Sequence, residues 1–304
     1  MNDTRECKTE IQGRAKGLDA ATASRDAHGV EIIEQRMLVP NINILTVRAP
    51  AVAQKIQPGQ FVILRADERG ERVPLTVADW DRDAGTVTCV FMQAGTSTHK
   101  LAALSQGDRL PTFVGPLGQP LEMESFGTVV LLGGCYGIGS LYPAARELKK
   151  KGNHVIAMIE ARGSFLLYWV ERFKEVADEV IISTFDGSRP GKKGEGPDHL
   201  RALLESGRSI NRIYAIGCTF MMYETARLTR DFGVKTIVSL NPIMIDGTGM
   251  CGACRVVVGG ETKFACVDGP QFDAHEIDWD LLLLRRKPYI QQETASAEAI
   301  RVGR

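Results

Sequence analysis

Between Thr128 and Ser239, five short apolar runs alternate with four segments of helical periodicity. The runs are Thr128–Leu132, His154–Glu160, Glu179–Thr184, Arg212–Ile216 and Lys235–Ser239. The segments between them predict a helix ending near Lys151-Gly152 and helices over Phe165–Val176, Asp198–Leu204 and Met221–Phe232. Strands alternating with helices form right-handed crossovers and a parallel sheet covered on both faces. This stretch therefore predicts a doubly wound α/β domain of the kind that binds nucleotides.

Ahead of Phe126 the texture differs. Glu31–Leu38, Ile42–Arg48, Gln60–Ala66, Val73–Asp79, Thr86–Gln93 and Arg109–Val114 are β-prone runs. Turn chemistry separates them, as at Pro58-Gly59 and Asp83-Ala84-Gly85. Six short strands at this spacing favour a small antiparallel β-barrel over a sandwich. Beyond Leu240 the alternation stops and a cysteine-rich glycine loop follows. The expected organisation is a polar extension over 1–29, a barrel over 30–125, a nucleotide domain over 126–239, a cysteine-bearing region over 240–290 and a tail over 291–304. There is no internal repeat, and Gly187–Gly196 reads as a surface loop.

Composition narrows the function classes. The chain has 304 residues, 37 Lys plus Arg against 37 Asp plus Glu, and so no general basic field to hold nucleic acid or an anionic membrane. No apolar run approaches the roughly 20 residues of a membrane helix. Residues Met1–His28 lack a hydrophobic signal core and mix acids with bases, which fits a transit peptide badly. A mobile extension and a cytoplasmic, reducing location are expected. Seven cysteines in such a compartment argue for metal or redox use rather than disulfides.

The strongest chemical signal is Asp246-Gly247-Thr248-Gly249-Met250-Cys251-Gly252-Ala253-Cys254, followed by Cys266. Plant-type [2Fe–2S] loops read Cys-x₄-Cys-x₂-Cys plus a distant cysteine. Here aspartate holds the first position, and a carboxylate carries the thiolate's charge on a harder donor. The pattern predicts a [2Fe–2S] cluster on Asp246, Cys251, Cys254 and Cys266. A structural zinc site with three sulfurs and one oxygen is the bland alternative, and Asp246 as a loop cap is another.

The second signal is Gly133-Gly134-Cys135-Tyr136-Gly137-Ile138-Gly139, after a buried strand and opening a helix. Gly133, Gly134, Gly137 and Gly139 would let a pyrophosphate approach the backbone, although such turns also serve packing. Glu160 ends the second strand, where an acid often bonds the adenosine ribose; that leans toward NAD(H), with Arg162 as a rival partner for a 2′-phosphate. Cys218 follows Gly217 at the carboxyl end of the fourth strand, open to a nicotinamide contact or to rim packing. A third signal, Arg72-Val73-Pro74-Leu75-Thr76 with Gly95-Thr96-Ser97-Thr98, suits either a flavin diphosphate or a satisfied surface arginine. The five histidines are scattered, and Cys7, Cys89 and Cys135 read as incidental. No side chain is read as catalytic beyond the cofactors.

Together these blocks resemble the ferredoxin–NADP reductase superfamily over roughly residues 30–290. More narrowly they resemble the electron-transfer subunits of dihydroorotate dehydrogenase B, of sulfide dehydrogenase and of the electron-bifurcating Nfn transhydrogenase. The most specific block runs from Val238-Ser239-Leu240-Asn241-Pro242 through the Asp246 loop and Lys263–Pro270 to Phe272–Glu276. It is similar to the small subunit of Nfn, in which aspartate replaces the first cluster cysteine. The resemblance implies FAD on Arg72, Pro74, Leu75 and Thr76, with Gly95, Ser97 and Thr98 at its diphosphate. Relatives usually have proline where Cys218 stands and an acid where Phe185 stands, both at the nicotinamide side; the extension 1–29 has no counterpart. It further implies NAD(H) exchanging hydride with FAD, a cluster carrying single electrons, and a larger flavoprotein partner with [4Fe–4S] clusters and the NADPH site. Sulfide dehydrogenase and dihydroorotate dehydrogenase subunits are the neighbouring readings. A zinc-stabilised, non-catalytic nucleotide sensor is the reading from another class.

Overall fold

The computed structural model describes residues 29–301, and the expectations for the extension 1–28 and for Cys7 lie outside them. The first unit is built from β1 (Val30–Val39), β2 (Ile42–Arg48), β3 (Phe61–Arg65), β4 (Val73–Asp81), β5 (Thr86–Met92), β6 (Arg109–Leu110) and β7 (Thr112–Leu117). Their order is β6-β1-β2-β5-β4-β3-β7, with antiparallel pairing throughout. The run expected as one strand over Arg109–Val114 is split at Pro111, which has no N–H to give a ladder. Before the proline it pairs with β1, after it with β3, so the two margins of the sheet belong to one stretch of chain. The sheet thereby curls into a nearly closed barrel around Ile32, Leu45, Val62, Leu64, Val77 and Phe91.

The second unit holds β8 (Thr128–Gly134), β9 (His154–Ala161), β10 (Glu179–Thr184), β11 (Lys192–Lys193), β12 (Arg212–Ile216) and β13 (Thr236–Ser239). They run parallel in the order β11-β10-β9-β8-β12-β13, so the chain winds outward from β8 in both directions. Helix Gly137–Lys150 buries Ile138, Leu141, Tyr142, Ala145 and Leu148, a three-and-four spacing that lays one stripe on the sheet. Helices Gly196–Glu205 and Thr219–Asp231 pack with the opposite face. The helix expected over Phe165–Val176 is broken. Ser164–Leu166 form a 3₁₀ turn, Trp169 takes φ 57°, and the α-helix covers Val170–Val176.

Asp79 of β4 joins the two units by accepting from Arg146 at 2.7 Å and from Arg172. Arg172 also lies 4.1 Å from the Tyr142 ring centroid and 4.3 Å from that of Trp169. Two cations on one half-buried carboxylate and an aromatic bed fix how the nucleotide sheet sits on the barrel.

The cysteine-bearing region adds the hairpin β14 (Arg255–Val258) and β15 (Glu261–Phe264), then β16 (Gln271–Asp273) and helix Trp279–Arg285. It is no appendage. β16 pairs antiparallel with β13, Val238 opposite Phe272, and extends the nucleotide sheet by one strand. Cys254, Val256, Cys266 and Trp279 share one core with Val130, Leu132 and Met221 of that sheet and with Phe61 and Ile63 of the barrel. Gln119 donates to Gly269 O at 2.6 Å and Val267 O at 2.7 Å, tying the barrel to the region as well. The expected tail forms helix Ile290–Arg301. Among the described residues no helix is long and apolar enough to cross a membrane.

Candidate functional site

The four candidate cluster ligands stand as two pairs. Asp246 Oδ1 accepts from Thr248 N at 2.9 Å and Oδ2 from Cys251 N at 2.8 Å, so the carboxylate does cap the loop, while each oxygen keeps a lone pair. These amides, Thr248 first, together with the Cys251 thiol, hold Asp246 below the usual carboxylate range. Cys254 and Cys266 are both 1% exposed, and Cys266 N donates to Cys254 Sγ at 3.4 Å. Burial, with Cys254 alongside, pushes the Cys266 thiol up to about 12, so a bound cation is what would make a thiolate there. Gly247 sits at φ 76°, and it is also glycine for lack of room: a Cβ would lie 2.6 Å from Ile63 Cδ1 of the barrel. Among the described residues no three His, Cys, Asp or Glu side chains converge as around a single ion. A two-iron cluster asks for ligands two by two, one pair per iron, and that donor set fits the pairs Asp246/Cys251 and Cys254/Cys266.

Beside the loop a cavity of about 260 Å³ opens where the three parts of the chain meet. Pro74, Leu75 and Thr76 of β4 form one wall, Tyr136 of the glycine turn a second, and Asn241 and Pro270 a third. It continues through Pro74, Thr98 and Met244 into a second hollow of about 310 Å³, where Arg72, Gly95 and Ser97 lie. The combined trough is flat and apolar at one end and hydroxyl-rich at the other. Thr98 Oγ1 accepts from Ala94 N and Gly95 N and so tightens its own turn, and Ser97 Oγ donates to Glu71 at 2.6 Å. Arg72 makes no hydrogen bond or ion pair among the described residues and is exposed at the hollow. An unpartnered guanidinium beside an apolar slot is what a flavin with its diphosphate requires. The residues fit that group.

The glycine turn after β8 lies at the carboxyl edge of the parallel strands, where open α/β sheets bind ligands. Gly137 is packed so closely on the neighbouring loop that a Cβ would lie 2.0 Å from Ile216 O. Tyr168 braces the turn, donating to Cys135 O at 2.8 Å and accepting from Gly139 N at 3.0 Å. That bond explains why the chain leaves the expected helix before Trp169. It also engages one of the amides a pyrophosphate would use, leaving those nearer Gly137. Glu160 is only 6% exposed; its Oε2 accepts from Gly196 N at 2.5 Å and burial pushes its carboxyl up to about 7. Its Oε1 faces Gly134. Asp186, at the end of the adjacent β10, is presented differently. It is exposed and held rigid by Ser188, whose Oγ in turn accepts from Ser164 N at 2.7 Å, with the exposed rings of Phe165 and Phe185 nearby. Cys218 is exposed, and its sulfur accepts from Met221 N to cap helix Thr219–Asp231.

One hydrogen-bonded chain links these places. Tyr136 Oη donates to Gly217 O at 3.0 Å and accepts from Asn241 Nδ2 at 2.6 Å. Asn241 Oδ1 accepts from Thr219 Oγ1 at 3.0 Å and from Arg286 at 2.8 Å. Burial pushes the Tyr136 phenol above its ordinary value, so it stays a neutral donor. Sequence reasoning gave no role to Tyr136, Tyr168, Asp186, Asn241 and Arg286. Tyr136 stood in the glycine turn and Asn241 in the most specific block, while Tyr168 and Arg286 carried no signal.

Residues 241–278 match the family described as the iron-sulfur cluster binding domain of dihydroorotate dehydrogenase B. Over 268 residues, 88% of this chain and 94% of the relative, the chain is 45% identical to a dihydroorotate dehydrogenase B (NAD(+)) electron transfer subunit homolog of Thermotoga maritima. It is 31% identical to the dihydroorotate dehydrogenase B (NAD(+)) electron transfer subunit of Geobacillus thermodenitrificans, over 81% of this chain and 96% of that one. Among solved structures it is similar to a chain of an NADH-dependent reduced ferredoxin-NADP oxidoreductase studied for flavin-based electron bifurcation. The TM-score is 0.82 at 41% identity, covering 90% of this chain and 98% of that one. A ferredoxin reductase of carbazole 1,9a-dioxygenase, at 20% identity and a TM-score of 0.59, shares the fold alone.

Proposed function

The chain belongs to the family of dihydroorotate dehydrogenase B electron-transfer subunits and their homologues, and on that premise we propose that it serves an electron-bifurcating NADH-dependent ferredoxin:NADP oxidoreductase. It is an oxidoreductase subunit, and its cofactors are FAD, NAD(H) and a [2Fe–2S] cluster. Bound together, these groups accept electrons as a hydride pair and release them singly. The chain's own residues set the route. Pro74, Leu75, Thr76 and Tyr136 enclose the flavin ring, while Arg72, Gly95, Ser97 and Thr98 hold its diphosphate. Asp246, Cys251, Cys254 and Cys266 hold the cluster. Gly133, Gly134, Gly137 and Gly139 receive the nicotinamide dinucleotide's pyrophosphate, and Cys218 lies toward its nicotinamide. The exposed Asp186, rather than the inward-turned Glu160, bonds the adenosine ribose.

A single observation carries this reading. Met244 lines the flavin cavity and Asp246 lies two residues further on, so one continuous segment walls the flavin and begins the cluster loop. A flavin held in that cavity would have the start of the cluster loop in its wall.

The relatives are named electron-transfer subunits, so a larger partner subunit completes the enzyme. We assign to that partner a second flavin, [4Fe–4S] clusters and the NADPH site. Outside the loop Cys89 is buried in the barrel and Cys135 and Cys218 edge the nucleotide sheet, which gathers no second cluster among the described residues. The test is reconstitution. The isolated chain should pass NADH electrons to an artificial dye yet fail to couple NADPH oxidation to ferredoxin reduction, and adding the larger subunit should restore coupling. Ferredoxin reduction by the chain alone, with NADPH as donor and NAD⁺ required, would overturn the division of labour. A co-purifying partner that oxidises dihydroorotate would replace the bifurcating assignment with the dihydroorotate one.

A further inference from the structure

The segment from Arg286 to Ile300 runs alongside the flavin trough from one end to the other. At the ring end, Arg286 bonds Asn241, which lines the cavity. Midway, Pro288 and Tyr289 lie with Pro242 and Ile243 around a third hollow, and those two residues also line the second. At the diphosphate end, Ser296 Oγ meets Thr96 Oγ1 at 2.6 Å, and Thr96 lines the second hollow. Helix Ile290–Arg301 turns its half-buried residues Ser296, Ala297, Ala299 and Ile300 inward and packs against helix Thr96–Ala102.

We propose that this C-terminal segment is a strap that retains FAD, closing the trough once the flavin is seated. The proposal rests on the flavin reading of the trough. Small inward residues let the helix approach Thr96 closely, while Tyr289 and Ile290 remain 54% and 52% exposed. The strap is therefore fastened by polar bonds at its two ends rather than by a core. Such fastenings are weak and reversible, which suits a segment that must open to admit a cofactor.

The experiment uses the full chain loaded with FAD and cluster. Ser296→Trp places a bulky ring where the helices approach. Flavin release, followed by the fluorescence of the freed cofactor, should quicken at least tenfold, with iron and sulfide content unchanged. Chymotryptic cleavage at Tyr289 reports whether the strap has lifted. Faster cleavage with unchanged flavin release overturns the proposal. The doubly substituted protein Thr96→Cys, Ser296→Cys reads in the other direction. Once oxidised to the disulfide it should release flavin at least fivefold more slowly than the same protein reduced, and equal rates overturn the proposal. A wild-type chain that takes up no flavin at all refutes the flavin reading itself, a different result from either.

Discussion

The glycine turn after β8 and the cluster loop are both crowded with glycine, for opposite reasons. In the turn, none of Gly133, Gly134, Gly137 and Gly139 has positive φ; each is small because something else is close. Gly137 abuts Ile216 O, and Gly139 abuts Val90 of the barrel. In the loop, Gly247, Gly249 and Gly252 all take positive φ, and around Gly252 there is room, the nearest atom to an added Cβ being 3.7 Å away. The turn excludes side chains because neighbours press on each of its glycines, which the loop does chiefly at Gly247, against Ile63. The loop's common device is the left-handed backbone that turns it between its proposed ligands.

The difference is open to breakage from its larger arm first. Gly137→Ala drives a methyl into a backbone oxygen that cannot move aside, so unfolding in denaturant should lose at least about 3 kcal/mol, or the protein should fail to accumulate. An alanine variant within 1 kcal/mol of the parent would show that the turn yields, and the contrast would fall.

Next come the sulfurs. Cys254→Ala or Cys266→Ala should abolish bound iron and labile sulfide while flavin content persists, because the flavin trough draws only its third wall from this region. Asp246→Cys should keep a [2Fe–2S] centre with an altered potential. An unchanged paramagnetic resonance spectrum in Asp246→Ala would remove Asp246 from the ligand set and leave it as a cap.

Glu160 sharpens the picture of the packed edge. Its carboxyl is raised from 4.5 to about 7 by burial, so between those values the folded chain binds a proton that the unfolded chain has released. The associated stability is fully present below about pH 4.5 and is lost as pH rises through 7, about 3 kcal/mol at most. Glu160→Gln should flatten that part of the stability–pH curve and leave cluster content alone. A curve of unchanged slope would mean that the carboxyl titrates normally.

The smallest effect belongs to the open arm. Gly252→Ala makes only ordinary contacts, 3.7 Å at the closest, so only its φ of 66° is strained, and the cost should be about 1 kcal/mol or less, read as weaker cluster retention rather than lost fold. A cost like that of Gly137→Ala would erase the distinction.

Much of this was legible in the sequence because the informative signals are repetitive or chemical. The alternation from Thr128 to Ser239 reports a sheet buried on both faces, and the cysteine spacing points to the iron-sulfur region that residues 241–278 match. What stayed hidden was local and tertiary. Helical periodicity runs unbroken through Phe165–Val176, whereas contacts made across the fold, among them the Tyr168 bonds to Cys135 and Gly139 and the bond of Ser164 to Ser188, hold the chain off that helix. β16 has three residues, too few for a period of two to register. Helix Ile290–Arg301 offers few large apolar side chains, so its pattern resembled a tail. Asp186 escaped notice because Glu160 occupied the expected place, and a strand-end acid cannot be told from sequence to be turned inward.

The return of β16 to the sheet has a consequence for how the molecule behaves in crowded solution. A parallel sheet ends in two raw margins, each a template on which another chain can add a strand. At one margin the chain places the two-residue β11 and its exposed lysine pair, Lys192 and Lys193, a short and charged border that invites little. At the other, β13 would leave one edge of its backbone open, and the three residues of β16 are what shield it. The cluster-bearing region is thus also a guard against self-association: shorten the chain to end at residue 240, and the sheet that remains should seek copies of itself.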